Sequence, residues 1–305
     1  MNYINAHTHL ELTVLADLCP QEGMNFTKWI VRLLERRSKL TNLEIQRGID
    51  QAIATLHDNG TIAVGDITNS RLSVEPLLAS GLAGVVYLEV LGLDRDPVLQ
   101  RFAEIQREID DWRKHENAMK VGLTVHAPYS CAPELFVAAT RWCIDENVPL
   151  TIHIAESADE VAYLRDGSGG MAAINQWLTP HVVWNPPHLS PIQYLHQLGV
   201  LEAKPVLVHG VQVDDADLAI IKASGCVMVH CPRSNTNLDC GRMPLERYLA
   251  HDIPLAMGTD SLSSCQSLDM RDEIAYAKKL HGKLIKPSVL KTMATAGGRK
   301  ALNLD

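Results

Sequence analysis

No stretch of this chain approaches the ~20 consecutive apolar residues that a membrane-crossing helix needs. No basic-then-apolar leader follows the start in Met1-Asn2-Tyr3-Ile4-Asn5. Membrane insertion and secretion are therefore not expected, and no membrane partner is. No two of the seven cysteines form a C-x-x-C pair. Cys19, Cys131, Cys143, Cys226, Cys231, Cys240 and Cys265 are an odd, scattered set that reads as reduced thiols in a cytoplasm. A surplus of positive charge is also missing, with 28 Lys and Arg against 36 Asp and Glu for a net charge of −8. That balance argues against nucleic acid as a partner and suits action on a small molecule. Repeats, low-complexity stretches and obvious linkers are absent as well.

What the chain does have is 305 residues, 46% of them hydrophobic, enough for a sizeable core. Short continuous apolar runs alternate with helix-length amphipathic stretches, the pattern of buried parallel strands with helical crossovers. Eight such runs are expected as strands: Tyr3–Ala6, Thr61–Asp66, Gly84–Val90, Lys120–His126, Pro149–Ile154, Pro205–His209, Cys226–His230 and Pro254–Met257. Helices are expected over Thr27–Lys39, Glu44–Asn59, Pro97–His115, Ala132–Glu146, Asp214–Ala223, Arg242–His251, Leu268–Leu280 and Ser288–Leu302. Eight β-then-α units fit a (β/α)8 TIM barrel spanning residues 1–305 as a single domain. An open doubly wound sheet would often carry a Gly-rich phosphate loop after its first strand. Here that strand runs into His7-Thr8-His9. The one Gly-rich segment, Gly167-Ser168-Gly169-Gly170, matches no phosphate-loop pattern and reads as a mobile loop.

The histidines are placed unevenly. Of 13, six (His7, His9, His126, His153, His209 and His230) fall at or next to the C-terminal end of a strand-like run. Asp260 follows the last strand in Gly258-Thr259-Asp260-Ser261. Parallel barrels carry their chemistry on that rim, and imidazoles gathered there with a carboxylate suggest a metal that activates water. Residues i and i+2 of a strand point the same way, so His7 and His9 enter the mouth together. His153 would be an ordinary core histidine in isolation; beside that pair it reads as a third ligand. Glu156, three residues on, reads as a proton carrier beside metal-bound water rather than a solvated helix-start charge. His209 is either a ligand or an electrostatic and hydrogen-bonding group. Asp260 binds the metal and accepts a proton, with a helix cap as the alternative. His126 and Glu89 are open between substrate contact and packing or rim charge, and His230 leans to a structural role. The other histidines, His281 among them, read as surface or packing residues.

Three familiar metal signatures are missing. Two-metal barrel hydrolases commonly use a modified lysine at the mouth, but Lys120 stands at the wrong end of the fourth strand. One metal is therefore expected. The His/Cys zinc-deaminase signature (H-x-E with P-C-x-x-C) and the His-Glu-x-x-His zinc-protease helix are both absent.

Taken in order, several motifs resemble the amidohydrolase superfamily in its mononuclear deaminase and chlorohydrolase branch. They are Asn5-Ala6-His7-Thr8-His9-Leu10-Glu11, His126-Ala127-Pro128-Tyr129-Ser130, His153 with Glu156, Val208-His209-Gly210, His230-Cys231-Pro232-Arg233-Ser234-Asn235 and Gly258-Thr259-Asp260-Ser261. Within that branch the chain resembles aminofutalosine and S-adenosylhomocysteine deaminase-like members. The resemblance implies one divalent metal ion, Zn²⁺ or Fe²⁺, held by His7, His9, His153 and Asp260. It implies Glu156, His209 and Asp260 as catalytic groups, and Glu89, His126 and Arg233 are the expected substrate contacts. The expected activity is hydrolytic deamination of an amino-substituted N-heterocycle such as an adenine-type nucleoside. Water attacks the amine-bearing ring carbon and ammonia leaves. A triazine-type chlorohydrolase, a cyclic-amide (imidazolone-type) hydrolase and a non-catalytic metal-binding barrel are the alternatives. Relatives often dimerise, so a homodimer is an expectation too. They also carry a small β-sandwich, and since this chain runs from the first strand to Leu302-Asn303-Leu304-Asp305, the expected fold is the barrel lacking it. Specificity is expected in rim loops over Leu10–Gly23, Gly92–Asp96 and Asp166–Pro191.

Overall fold

A computed structural model of the chain describes residues 2–20 and 23–304. Gln21 and Glu22, within the first expected rim loop, lie outside the described residues, as do Met1 and Asp305 at the ends of the expected domain. All eight expected strands form, one sheet in sequence order with every pairing parallel. They are β1 (Tyr3–Thr8), β2 (Thr61–Thr68), β3 (Ala83–Val90), β4 (Met119–Val125), β5 (Leu150–Ile154), β6 (Val206–His209), β7 (Val227–His230) and β8 (Leu255–Met257). β5 to β8 are buried along their whole length, because both faces of the sheet are covered.

The helices are α1 (Phe26–Arg37), α2 (Asn42–Asp58), α3 (Val74–Ala79), α4 (Arg95–Arg113), α5 (Pro133–Asp145), α6 (Ala158–Asp166) and α7 (Gly169–Leu178). They continue with α8 (Pro191–Gln197), α9 (Asp215–Ser224), α10 (Pro232–Asn237), α11 (Leu245–Ala250), α12 (Met270–His281), α13 (Pro287–Thr292) and α14 (Gly298–Ala301). Several of them start on short polar side chains that satisfy the free N–H groups of a first turn. Thr41 and Glu44 form a reciprocal capping box on α2, Asp214 and Asp217 another on α9, and Ser157 caps α6. Among the described residues no helix is long and apolar enough to cross a membrane. All seven cysteines are buried and none is in a disulfide.

The ring of strands closes between β8 and β1. The Asp260 N–H donates to the His7 carbonyl at 3.0 Å. Asn5 donates from Nδ2 to Thr259 Oγ1 at 2.8 Å and accepts from the Thr259 N–H at 3.0 Å. Glycine at 258 permits this approach, since a Cβ there would stand 2.8 Å from His7 Cβ and 2.9 Å from its backbone N and O.

Two expectations about local structure are overturned. Gly167–Gly170 is not a mobile loop: Gly167 ends α6 in the left-handed conformation (φ 74°), and Gly169 and Gly170 open α7. Glycine there serves packing, because a Cβ on Gly170 would meet Thr27 Oγ1 at 2.5 Å. The single helix over Ser288–Leu302 is instead α13 and α14 separated by a π-helical turn, Met293–Gly297. Glycine at 297 and 298 lets this turn approach β8 and β1 closely, since a Cβ would stand 2.1 Å from the Leu255 carbonyl oxygen at the first and 2.6 Å from Ile4 at the second. The residues Leu10–Leu18, expected as a rim loop, form a 3-10 segment with a kink at Leu15.

Gly258→Ala is expected to lower stability by roughly 2–3 kcal/mol through overpacking against His7. Thermal unfolding of the metal-free variant measures this, and a melting temperature equal to wild type would show that β8 does not need the glycine.

Candidate active site

The C-terminal rim gathers the predicted residues. His7 is the second-last residue of β1 and His9 follows the strand; His153 lies in β5 and His209 ends β6, in register so that Ile154 pairs with His209. His9 Nε2 lies 3.2 Å from His153 Nε2. Asp260 Oδ1 lies 3.6 Å from His7 Nε2 and 3.7 Å from His9 Nε2. Single donor atoms of His7, His9 and His153, and of His7, His209 and Asp260, fall within 4.8 Å of one another.

This donor set fits a divalent metal ion. His7 Nε2 is buried and has no hydrogen-bond partner, so a nitrogen lone pair or N–H faces the shared space without protein compensation. The His153 Nδ1 donates to the His126 carbonyl at 2.9 Å, and a carbonyl can only accept. That fixes the neutral tautomer with its Nε2 lone pair toward His9, the support usual behind metal-binding imidazoles. Burial holds His153 well below the usual histidine range, with the surrounding imidazoles adding to the effect. Burial and then His7 do the same to His9, against the pull of Asp260. Neutral imidazole is the ligating form.

Asp260 behaves oppositely. Burial would raise its carboxyl, but the His7 contact and the other imidazoles around it shift it well below the carboxylate range. Its Oδ2 accepts from Ser234 Oγ at 2.5 Å and Ser264 Oγ at 3.1 Å, and Oδ1 from the Ser261 N–H at 2.8 Å. An ionised ligand oxygen is thereby kept at the mouth.

Glu156 is 4% exposed and lies 3.6 Å from His209 Nε2 through Oε1. Burial pushes its carboxyl well above the usual range, and Asp260 and Glu160 reinforce the shift. A shift in this direction favours the protonated form, which suits a proton donor. His209 is pulled down to about 4 by burial, and its Nδ1 donates to Asn235 Oδ1 at 2.9 Å. Ala155, His209 and Asp260 all adopt positive φ (49°, 79° and 63°), a conformation L side chains rarely take. Such strain persists where surrounding bonds over-determine it.

Carboxylate clamps around the mouth include residues the sequence reading passed over. Glu160 accepts from the Ala155 N–H at 3.0 Å and the Glu156 N–H at 2.8 Å. Asp66, two residues before the end of β2, accepts from Thr8 Oγ1 at 3.1 Å, the Leu10 N–H at 2.8 Å and Ser73 Oγ at 2.6 Å. Glu11 accepts from the Asn69 and Ser70 N–H groups at 3.1 and 2.9 Å and pairs with Arg37. An Asp or Glu at a strand end next to a histidine motif was the available signal for Glu11; Asp66 and Glu160 carried none that separates them from surface acids.

A cavity of about 580 Å³ opens over these groups. Glu89 and His126 both line it. Glu89 accepts from Asn69 Nδ2 at 3.0 Å, and His126 pairs through Nδ1 with Ser130 Oγ at 2.6 Å. Arg233 does not line it. That guanidinium pairs with buried Glu273 at 3.4 Å and lies over the Tyr276 ring, because α10 turns it outward toward α12. His230 also stands apart, with Nε2 3.1 Å from Nε2 of His281, which is itself buried.

A parallel eight-stranded barrel with an imidazole–carboxylate cluster at its C-terminal mouth defines the metal-dependent barrel hydrolases as a class. The chain belongs to the amidohydrolase family, whose model it matches over residues 3–305. It is 33% identical over 309 residues to the aminodeoxyfutalosine deaminase of Deinococcus radiodurans, covering 98% of this chain and 72% of that one. It is 28% identical over 317 residues to a 5-methylthioadenosine/S-adenosylhomocysteine deaminase of Pyrococcus abyssi, covering 99% and 69%. Among solved structures, Helicobacter pylori aminofutalosine deaminase in complex with methylthio-coformycin superposes with a TM-score of 0.87 at 25% identity, covering 99% of this chain and 74% of that one.

Burial raises Asp66 from 3.8 to about 7, against the hydrogen bonds from Ser73, Leu10 and Thr8. The folded state thus holds this proton more firmly than the unfolded chain, so Asp66 costs stability progressively as pH rises between those values. Asp66→Asn removes that term. The melting temperature of the variant relative to wild type is expected to rise from pH 4 to pH 8, and a pH-independent difference would refute a buried, proton-holding Asp66.

Proposed function

We propose that this chain is a metal-dependent hydrolytic deaminase of an amino-substituted N-heterocycle, with adenine-type nucleosides as the substrate class. The observation that carries the reading is the pairing of two opposite carboxyls over one imidazole cluster. Asp260 is shifted toward its ionised form and Glu156 toward its protonated form, 3.6 Å from His209. The named activities of the relatives from Deinococcus radiodurans and Pyrococcus abyssi support the same class.

His7, His9, His153 and Asp260 would hold one divalent ion, zinc or iron, which supplies Lewis acidity and a lowered pKa for its water. The residues of the chain supply the rest. Glu156 gives its proton to the ring nitrogen beside the amine-bearing carbon, so negative charge does not accumulate on the ring as the C–O bond forms. Asp260 accepts the proton that water loses and returns it to the departing amine, which leaves as ammonia. His209, neutral and oriented by Asn235, presents Nε2 as a hydrogen-bond partner beside Glu156. Glu89 and His126 are proposed to contact the substrate from the cavity wall, and Arg233 is not. A cytoplasmic enzyme acting on a small molecule is the proposed setting.

The test is metal content of the purified chain together with ammonia release from adenosine-type nucleosides, guanine and amino-triazines. About one zinc or iron per chain with ammonia from the nucleosides is expected; absence of metal binding would undo the ligand assignment. Glu156→Gln is expected to keep the metal and lose about 10²–10⁴-fold in kcat. A metal-loaded Gln variant at near wild-type rate would remove Glu156 from the proton path.

A further inference from the structure

Two of the groups at the mouth are held by adjacent residues of one short helix. Ser234 Oγ donates to Asp260 Oδ2 at 2.5 Å, and Asn235 Oδ1 accepts from His209 Nδ1 at 2.9 Å. Both residues belong to α10 and both are fully buried. Isolated helices shorter than ~12 residues are marginal, so the six residues of α10 take their place from what they touch. Asn237 ties the C-terminal end: its Nδ2 donates to the Ser264 carbonyl at 2.8 Å, and its carbonyl accepts from the Met24 N–H at 2.8 Å. Arg233 ties the N-terminal end. At ~3.6 residues per turn, neighbouring side chains leave a helix about 100° apart, so Arg233 points away from the side of α10 that carries Asn235. Its guanidinium lies 5.6 Å over the Tyr276 ring, donates to the Asp272 carbonyl at 3.2 Å and places Nε 3.4 Å from Glu273 Oε1. The Arg233 N–H donates to the other Glu273 oxygen at 3.4 Å. Thus α12 grips both the backbone and the side chain of the residue beside Ser234.

The grip adds little stability. Glu273 is fully buried, and burial pushes its carboxyl up to about 8 against the pull of Arg233. Desolvation of a buried ion pair offsets most of what its attraction gains, so the consequence of this pair is geometric. We infer that Arg233 and Glu273 are positioning residues, whose contact sets α10 so that Ser234 reaches Asp260 and Asn235 reaches His209. The inference rests on the ligand assignment and the deaminase reading proposed above, and it gives Arg233 a role that needs no contact with substrate. Hydrogen bonds weaken steeply once distance and angle leave their optimum, so a small displacement of α10 loosens Asp260 and His209 together. Partners that stand behind a metal ligand typically set metal affinity or activity by about 10–100-fold.

The experiment measures zinc affinity of the folded chain against a competing chelator, and kcat and KM of the zinc-saturated enzyme on adenosine. It compares wild type, Ser234→Ala, Arg233→Met, the double variant and Arg233→Lys. Ser234→Ala and Arg233→Met are each expected to weaken zinc binding by about tenfold. The double variant is expected to lose no more than the worse single one, because Arg233 acts through Ser234 and residues in one network are not additive. At saturating zinc, Arg233→Met is expected to lower kcat by about tenfold with KM within about twofold of wild type. Arg233→Lys keeps a charge facing Glu273 and is expected to recover part of both losses. Should Arg233→Met not fold, Glu273→Gln keeps the size and the acceptor for the Arg233 N–H, and the same non-additive loss with Ser234→Ala is expected. Zinc affinity in the Arg233 variant equal to wild type, or losses that add in the double variant, would overturn the positioning role and leave the deaminase reading standing. A raised KM with zinc affinity unchanged would instead return Arg233 to the substrate. No recovery in Arg233→Lys would overturn the part assigned to Glu273. Non-additive zinc losses in a chain that releases no ammonia would sustain the positioning role and sink the deaminase reading.

Discussion

The structure turns on the seam where the last strand meets the first. One hydrogen bond there, from the Asp260 N–H to the His7 carbonyl, joins two proposed metal ligands directly. Asn5 and Thr259, 254 residues apart in sequence, bond reciprocally beside it. If the seam opened, the carboxylate and the imidazoles would no longer share a space. Barrel closure and site assembly are therefore one event, and the ligand arrangement is as rigid as the sheet. Glycine at 258 is the steric condition for it. The long loop of chain between the two halves of the seam also makes closure a costly, late contact in entropic terms.

Desolvation is the second constraint, and it sorts the titratable groups. Low dielectric disfavours charge, so the imidazoles at the mouth are pushed toward their neutral form and Glu156 toward its protonated form. Asp260 is the exception because imidazoles and serine hydroxyls surround it, whereas Glu156 has His209 at 3.6 Å and two neighbouring acids. Two carboxyls in one cavity thus take opposite roles from their surroundings alone. Positive φ at Ala155, His209 and Asp260 belongs to the same economy. The chain leaves each strand by a sharp turn that points the next side chains across the mouth, and clamps such as Glu160 hold the turn in place.

Legibility in the sequence followed interaction range. Each strand was readable because a buried parallel strand is a continuous apolar run, a local property. His7, His9, His153 and Asp260 were readable because they sit at a fixed offset from those runs. Short helices were missed: α3, α8 and α10 have six or seven residues, too few for a helical period to register. Gly170 misled because glycine marks turns on average, while here close packing against Thr27 required it. Arg233 misled for a related reason. Its place after a strand end suited a substrate contact, but α10 begins one residue earlier and swings the side chain toward Glu273. Whether a rim side chain points into the mouth or out of it depends on the helix that follows, which strand-end spacing does not encode.

The cavity wall illustrates that limit most fully. The α1 face from Phe26 to Leu33 has the period of an ordinary core-facing stripe, and sequence gives no way to tell a stripe that packs on protein from one that lines a cavity. The difference lies in what stands opposite. Here α7 supplies Met171, Ile174 and Leu178 across the opening, and neither helix fills the gap between them. Water in such a gap makes few good hydrogen bonds, so an apolar group entering it gains free energy from both walls. The metal end fixes what reaction can occur, since it holds the only imidazole cluster of this geometry among the described residues. The α1 and α7 walls bound the space that a molecule must enter to reach it. Chemistry and selectivity are thus carried by different parts of the fold, the first by the strand ends and the second by the helices above them.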